Sequence, residues 1–352
     1  MGTGALARPG RAQLDKIRSI TSKTGQPPAV ATHFVLMEIF RTIFDMRAVS
    51  RVVRRGSKRL GLVPTMGALH EGHLSLVRAA KSQCDAVAAS IFVNPLQFGP
   101  NEDLAKYPRD FDRDCELLKK EGVDFLFAPS VEEMYPAGAI TQVTVEGLSD
   151  KLCGKSRPGH FRGVTTVVSK LFHIVEPDVA FFGQKDAAQL AIIRQMVRDL
   201  NFPVEIEACP IIRGSDGLAM SSRNAYLNAQ ERKAALALYR ALKRVQELFD
   251  QGERNAAKLI EAGKRSFSEE KLARLDYLEI VDPDSLESLA QVKGTALAAV
   301  AAFVGSTRLI DNLVLYGGRS RSLGLSESHQ LLLNGGIDQR EKVLNFGICP
   351  LR

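Results

Sequence analysis

Apolar residues fall in short blocks along this chain, and the spacing inside each block predicts an element. From Met37, apolar positions at Ile39, Ile43, Met46, Val49 and Val53 follow the helical period. Leu60 to Val63 is a short apolar strand broken by Pro64 and Gly67, and Leu74 and Val77 belong to a helix over 73–83. Ala86 to Val93 is a continuous apolar run bounded by turn residues, as expected of a strand buried in a parallel sheet. It ends in Asn94-Pro95-Leu96-Gln97-Phe98-Gly99. The pattern then predicts helix 110–121, strand Val123–Phe127, strand 142–146, a glycine-rich loop from Gly154 to Gly163, helix 164–175, strand Val179–Phe182, helix 187–200 and strand Val204–Ala208. Beyond Pro210 a polar loop, Arg213 to Asn224, precedes helices at 228–251 and 254–267, strands near 275–281 and 295–304, and a final run to Leu315.

Strands alternating with helices predict an α/β fold: a doubly wound parallel-sheet, Rossmann-like nucleotide-binding domain over 37–211, then a smaller α+β C-terminal lid domain over 212–316, with the boundary near Ile211. In open sheets of this kind ligands bind beyond the carboxyl ends of the strands. Loops 64–73, 94–99 and 183–186 are those ends, so polar and glycine residues gather where the fold places a site.

Composition narrows the class. The 352 residues are 45% hydrophobic, enough for one large or two ordinary cores, and no apolar run approaches the length that spans a bilayer. No membrane partner is expected. Cys84, Cys115, Cys153, Cys209 and Cys349 are scattered, without a Cys-x-x-Cys pair, which points to reduced thiols in a cytoplasmic protein. Of the net charge of +7, residues 1–36 carry +4 and residues 317–352 carry +2, so the basic balance belongs to the ends and no nucleic-acid surface is expected. The first 36 residues are acid-poor and rich in Gly, Ser, Thr, Pro and Arg, and read as a dispensable extension: a targeting segment, a disordered tail, or the stretch before a start at Met37. Residues 317–352 read as an irregular C-terminal extension, with Leu331 to Leu333 as a short helix.

The chemistry gathers at His70-x-Gly-His73, where a strand turns into a helix. Backbone N–H groups at a helix start lack intrahelical partners and the dipole is positive there, so anions are favoured. Two imidazoles add donors for phosphate oxygens. Zinc is the other sharp reading, but His-x-x-His supplies two ligands and no Cys pair or third His lies at suitable spacing. Lys185 and Asp186 follow a buried-type strand and suit a phosphate and a ribose, or form a surface ion pair. Ser221, Ser222 and Arg223 offer two hydroxyls and a guanidinium that suit a triphosphate, or make a solvated turn. Asn94, Gln97 and Gln189 are neutral amides suited to a small polar substrate, and Tyr107-Pro108-Arg109 and Arg157 to Gly163 are loop segments with cationic side chains, of which Arg157 and Arg162 steer an anion or are merely solvated. Neither Gly-x-Ser-x-Gly nor a Walker-type P-loop occurs.

Taken in order, Pro64-Thr65-Met66-Gly67 with His70-x-Gly-His73, Ile91-Phe92-Val93-Asn94-Pro95-x-Gln97-Phe98, Tyr107-Pro108-Arg109, Arg157-Pro158-Gly159-His160-Phe161-Arg162-Gly163, Phe182-Gly183-x-Lys185-Asp186 and Ser221-Ser222-Arg223-Asn224 closely resemble the pantoate–β-alanine ligase (pantothenate synthetase) family. The likeness runs from about Met37 to Leu315, and His-x-Gly-His alone marks only the wider nucleotidylyltransferase superfamily. The resemblance implies an AMP-forming ligase in which the pantoate carboxylate attacks the α-phosphate of Mg-ATP and the amine of β-alanine displaces AMP from pantoyl adenylate. It implies that His70, His73 and Lys185 stabilise phosphate charge, and that Ser221, Ser222 and Arg223 close over the β/γ end. Gly183 and Asp186 would hold the ribose, with Met66 also among the ATP-binding residues; Gln97 and Gln189 would hold pantoate, with Pro64 and Met66 lining that pocket and Asn94, Tyr107 and Arg157 near the channel. Mg²⁺ is expected on the phosphates, with no protein ligand assigned beyond Asp114 as a weak candidate, and a homodimer is expected. A different superfamily nucleotidylyltransferase and a catalytically dead nucleotide-binding module are the competing readings.

Overall fold

Strands buried on both faces need helices on both faces, and the chain supplies them. The computed structural model describes residues 37–100, 102–268 and 270–317; the expectations for 1–36 and for 318–352, Leu331 to Leu333 included, lie outside the described residues. The first sheet contains β1 (Glu38–Phe40), β2 (Leu60–Thr65), β3 (Ala86–Ile91), β4 (Phe125–Phe127), β5 (Val179–Gly183) and β6 (Glu205–Cys209), in spatial order β1-β4-β3-β2-β5-β6. All its pairings are parallel. From β2 the chain winds outward through β3 and β4, then returns to the other side of β2 for β5 and β6. The order therefore reverses between β2 and β5, which is where a doubly wound sheet opens a crevice.

Helices α1 (Ile43–Arg55), α2 (Glu71–Gln83), α3 (Phe111–Lys120), the single turns α4 (Val131–Met134) and α5 (Cys153–Ser156), then α6 (His160–Val175) and α7 (Ala187–Asp199) cover the sheet. One face packs Leu60, Leu62, Ala88 and Phe182 against α1, α6 and α7; the other packs Val63, Val87, Leu126 and Phe181 against α2 and α3. The second unit is an antiparallel sheet, β7 (Ala273–Val281), β8 (Thr295–Val304) and β9 (Thr307–Tyr316), backed by α8 (Ala229–Asp250) and α9 (Ala256–Lys264). Val281, Leu286, Leu297 and Ala299 of this unit join the core of the first. No described helix is long and apolar enough to cross a membrane.

Several expectations change. Residues Glu38–Phe40 form an edge strand paired with β4, and the helix begins only at Ile43, where Thr42 Oγ1 accepts from the Asp45 N–H at 3.1 Å. No strand forms at 142–146: the Val143 N–H donates to Thr166 Oγ1 at 3.0 Å and its carbonyl accepts from Thr165 Oγ1 at 2.6 Å, so α6 side chains take the groups a ladder would use. The glycine-rich loop 154–163 is partly helical, and Gly163, in the first turn of α6, packs so close to the Leu96 carbonyl that a Cβ there would clash. The helix predicted over 254–267 is α-helical only to Lys264 and ends in a 3₁₀ turn, Arg265–Phe267.

Candidate active site

The β2–α2 connection carries the two histidines. Pro64 has no N–H to give a ladder, and it lies past Leu62, where the pairing of β2 with β5 has ended. Gly67 (φ +79°) and Ala68 (φ +52°) then turn through the left-handed region. A side chain at Gly67 would be strained there, and its Cβ would stand 2.9 Å from Asp114 Oδ2. Asp114, buried on α3, holds the turn: its two carboxylate oxygens accept from the N–H groups of Ala68 and Leu69, each at 2.8 Å. Burial pushes its carboxyl above the usual range despite those donors. Each oxygen accepts one backbone N–H, so Asp114 anchors the turn.

His70 is the N-cap of α2. Its Nδ1 accepts from the Gly72 N–H at 3.1 Å, and Nδ1 of His73 accepts from the His70 N–H at 3.4 Å, so the two imidazoles make a reciprocal capping box. An accepting Nδ1 puts the neutral ring's proton on Nε2. Burial, then the charge of Lys185, lowers the His70 pKa to about 4, and burial with His70 and Lys185 lowers that of His73 to about 3. Both are neutral N–H donors at pH 7.

The opposite wall is built from amides. Asn94 is buried and saturated: its Nδ2 donates to the Gly163 carbonyl (3.0 Å) and Gln97 Oε1 (3.1 Å), and its Oδ1 accepts from Tyr135 O–H (2.8 Å). It thereby fixes the Gln97 amide, whose Nε2 lies 3.0 Å from Met66 Sδ. Arg157 packs behind this loop. Its guanidinium meets Glu102 (Nε–Oε1 2.7 Å, Nη2–Oε2 2.5 Å), and its Nη2 also donates to the Gln97 carbonyl at 3.2 Å. His160 Nδ1 lies 2.8 Å from the same carbonyl and its Nε2 lies 2.9 Å from Arg157 Nη1. A carbonyl only accepts and a guanidinium only donates, so His160 carries its proton on Nδ1. Burial, then Arg157, lowers its pKa to about 4. Arg162 is exposed.

The third wall follows β5. Gly183 ends the strand and a 3₁₀ turn, Gln184–Asp186, presents Lys185, whose Nζ lies 3.7 Å from Asp186 Oδ1. This turn is pinned from the second unit: Asn312 of β9, itself buried, donates through Nδ2 to the carbonyls of Gln184 (2.9 Å) and Lys185 (2.8 Å). Gln189 follows on the first turn of α7. Ser221 caps a 3₁₀ turn, Ser222–Tyr226, through Oγ to the Arg223 N–H, and Arg223 binds Asp103 in a two-point ion pair (3.0 and 2.8 Å). Tyr107 Oη lies 3.4 Å from Ser222 Oγ.

One cavity of about 230 Å³ is lined by Pro64, Met66, His70, His73, Asn94, Gln97, Tyr107, Arg157, Gly183, Lys185, Asp186, Gln189, Ser221, Ser222 and Arg223, whereas Arg109, which donates to the Tyr107 and Leu104 carbonyls, Arg162 and Asp114 do not line it. Ile212 and Met220 add an apolar edge, and an adjoining cavity of about 760 Å³ shares Lys185, Asp186, Gln189 and Arg223. Glu102, Asp103, Tyr135 and Asn312 carry no local signal in the sequence. Their partners lie 41 to 128 residues away, and of the supporting residues only His160 sits inside a quoted motif.

Comparison with known proteins settles the family. The sequence model for pantoate–β-alanine ligase matches residues 38–314, well over half of the chain. The chain belongs to the pantoate–β-alanine ligase family. It is 63% identical over 279 residues to the pantothenate synthetase of Koribacter versatilis, covering 79% of this chain and 96% of that one. It is 59% identical over 272 residues to the pantothenate synthetase of a Thermoanaerobacter species, covering 77% and 96%. Among solved structures, the Thermus thermophilus pantothenate synthetase superimposes with a TM-score of 0.75 at 48% identity, covering 79% of this chain and 99% of that one. A Francisella tularensis pantoate–β-alanine ligase complexed with β,γ-ATP and β-alanine gives 0.65 at 34% identity, covering 79% and 97%. As a pantoate–β-alanine ligase the chain keeps each quoted motif on the wall of one cleft.

Proposed function

We propose that this cleft carries both half-reactions of the ligase, with the residue roles given below. The enzyme joins pantoate to β-alanine at the expense of ATP, forming pantothenate by way of pantoyl adenylate and releasing pyrophosphate and AMP. The observation that carries the site assignment is the convergence of a helix N-terminus, two neutral imidazole donors, Lys185 and the Ser221–Arg223 turn on one cavity.

In the first half-reaction a pantoate carboxylate oxygen bonds to the α-phosphorus and the bond to the bridging oxygen breaks. Charge moves onto the departing pyrophosphate. His70 Nε2–H, His73 Nε2–H and Lys185 Nζ meet that charge, and Ser221, Ser222 and Arg223 hold the β/γ end. Donors fixed before reaction act without reorganising, and one such donor is typically worth about 10²–10³ in rate. Gln97, aimed by Asn94, and Gln189 hold pantoate against Pro64 and Met66, while Gly183 and Asp186 face the ribose. Tyr107 and Arg157 stand at the channel, Arg157 acting through the Gln97 loop it supports. In the second half-reaction the β-alanine amine bonds to the activated acyl carbon, AMP leaves with the bonding pair, and the amine's extra proton goes to solvent; proximity serves in place of a strong base.

Among the described residues no group of three or more His, Cys, Asp or Glu is placed to hold a metal. This donor set suits Mg²⁺ that arrives on the triphosphate and keeps its waters, a substrate-borne ion. The reading extends to a homodimer in the cytoplasm, for which light scattering in solution and cell fractionation are the tests. The deciding assay is pyrophosphate release from Mg-ATP with pantoate, with and without β-alanine. A single turnover without the amine and sustained AMP formation only with it are expected. ATP binding without pantoate-dependent release would overturn the reading.

A further inference from the structure

Glu102 and Asp103 are consecutive carboxylates, and each holds a different arginine that lines the cleft. The two arginines are held differently. Arg157 has Nε and Nη2 on Glu102 and Nη1 against His160, so every nitrogen is engaged. Among the described residues Arg223 is gripped by one edge only: Nε donates to Asp103 Oδ2 and Nη2 to Oδ1, which leaves Nη1 and its two N–H groups for another anion. The turn that carries Asp103 is fixed as well. Glu102 ties it to Arg157, and Tyr226 O–H donates to the Lys106 carbonyl at 3.2 Å, linking it to the turn that carries Arg223. Burial alone would raise the Asp103 pKa, but the hydrogen bond and charge of Arg223 outweigh it and hold the carboxyl below its ordinary value, so the pair stays ionised.

We propose that Asp103 is a positioning residue for adenylation: it grips one edge of the Arg223 guanidinium and aims Nη1 at the triphosphate of Mg-ATP. This rests on the nucleotide role given to Arg223 above. An unrestrained arginine would lose its rotamer freedom when the nucleotide binds; held by Asp103, it has lost that freedom beforehand, which is preorganisation. Nothing in Asp103 itself touches substrate.

The test is a double-mutant cycle on the full chain, with pantoate-dependent ATP–pyrophosphate exchange as readout and thermal unfolding as the check on folding. Asp103→Asn is expected to raise the KM for Mg-ATP about tenfold, leave the KM for pantoate within twofold, and be partly rescued by Asp103→Glu. In an Arg223→Ala background the same change is expected to add less than twofold, because its lever is gone. A full tenfold further loss in that background would overturn the inference. So would a fall in the KM for Mg-ATP, which would mean that Asp103 competes with the triphosphate. Unchanged Mg-ATP kinetics in Arg223→Ala alone would overturn the nucleotide role of Arg223 and the inference with it. An effect of Arg223→Ala with none of Asp103→Asn would overturn the inference and leave that role standing.

Discussion

A histidine that caps a helix commits one ring nitrogen to the backbone, and that decides what the other can do. At His70 and His73 the committed atom is Nδ1, so Nε2 carries the proton, and burial keeps both rings uncharged. The sign of the pH dependence follows. Folded pKa values of about 4 and about 3 lie below the ordinary 6.5, so the unfolded chain binds more protons in between. Stability from these rings is complete above pH 6.5 and declines as pH falls through that window toward 4 and 3. Imidazole NMR at pH 7 is expected to show both rings as Nε2–H tautomers that do not titrate until well below pH 6; a midpoint near 6.5 for either ring would contradict the geometry. Substitution separates the two duties of His70. Alanine removes the cap, at about 1 kcal/mol of stability, and the donor. Asparagine is itself a good N-cap, so His70→Asn is expected to unfold like the parent while pyrophosphate exchange falls by about 10²–10³. Near-parental exchange in that variant would remove His70 from the phosphate site.

Short turns at the strand ends place the chemistry, and each is held by a residue distant in sequence. Asn312 of β9 supports the Gln184–Asp186 turn through two carbonyls, and Asp114 of α3 supports the Gly67–Leu69 turn through two N–H groups. Asn312→Ala leaves those carbonyls without their donor and is expected to cost about 1–3 kcal/mol, read by urea unfolding, with a loss of kcat because Lys185 shifts with the turn. Unchanged stability would show that solvent replaces the amide. Much at this scale was legible: the buried runs at β3 and β5 and the strand–turn–helix at 60–83 follow from apolar blocks and their breakers. Strand β1 was not, since three residues gain their identity only from pairing with β4 at 125–127. Nor was the fate of 142–146, whose alternating Val and Thr read as a strand until the Thr165 and Thr166 hydroxyls occupy its backbone.

At the scale of the molecule, the cleft lies where the sheet order reverses, and the second unit completes it by contributing Asn312 and the turn at 222–226. Both units share apolar contacts through Val281, Leu297 and Ala299, so the wall they make together is built on a common core. The matched region, 38–314, covers nearly the full length of the relatives. A chain cut to residues 37–317 is therefore expected to keep its melting temperature and its kcat/KM within about twofold; a tenfold loss would assign the ends a part in catalysis. By itself the sequence determined most of the alternation of strand and helix and the motifs that meet at the cleft, because periodicity and short motifs are local. The tertiary structure alone decided the ion pairs of Glu102 and Asp103, the saturation of Asn94 and the anchoring by Asp114 and Asn312, because each joins groups tens of residues apart whose distance only the folded chain sets.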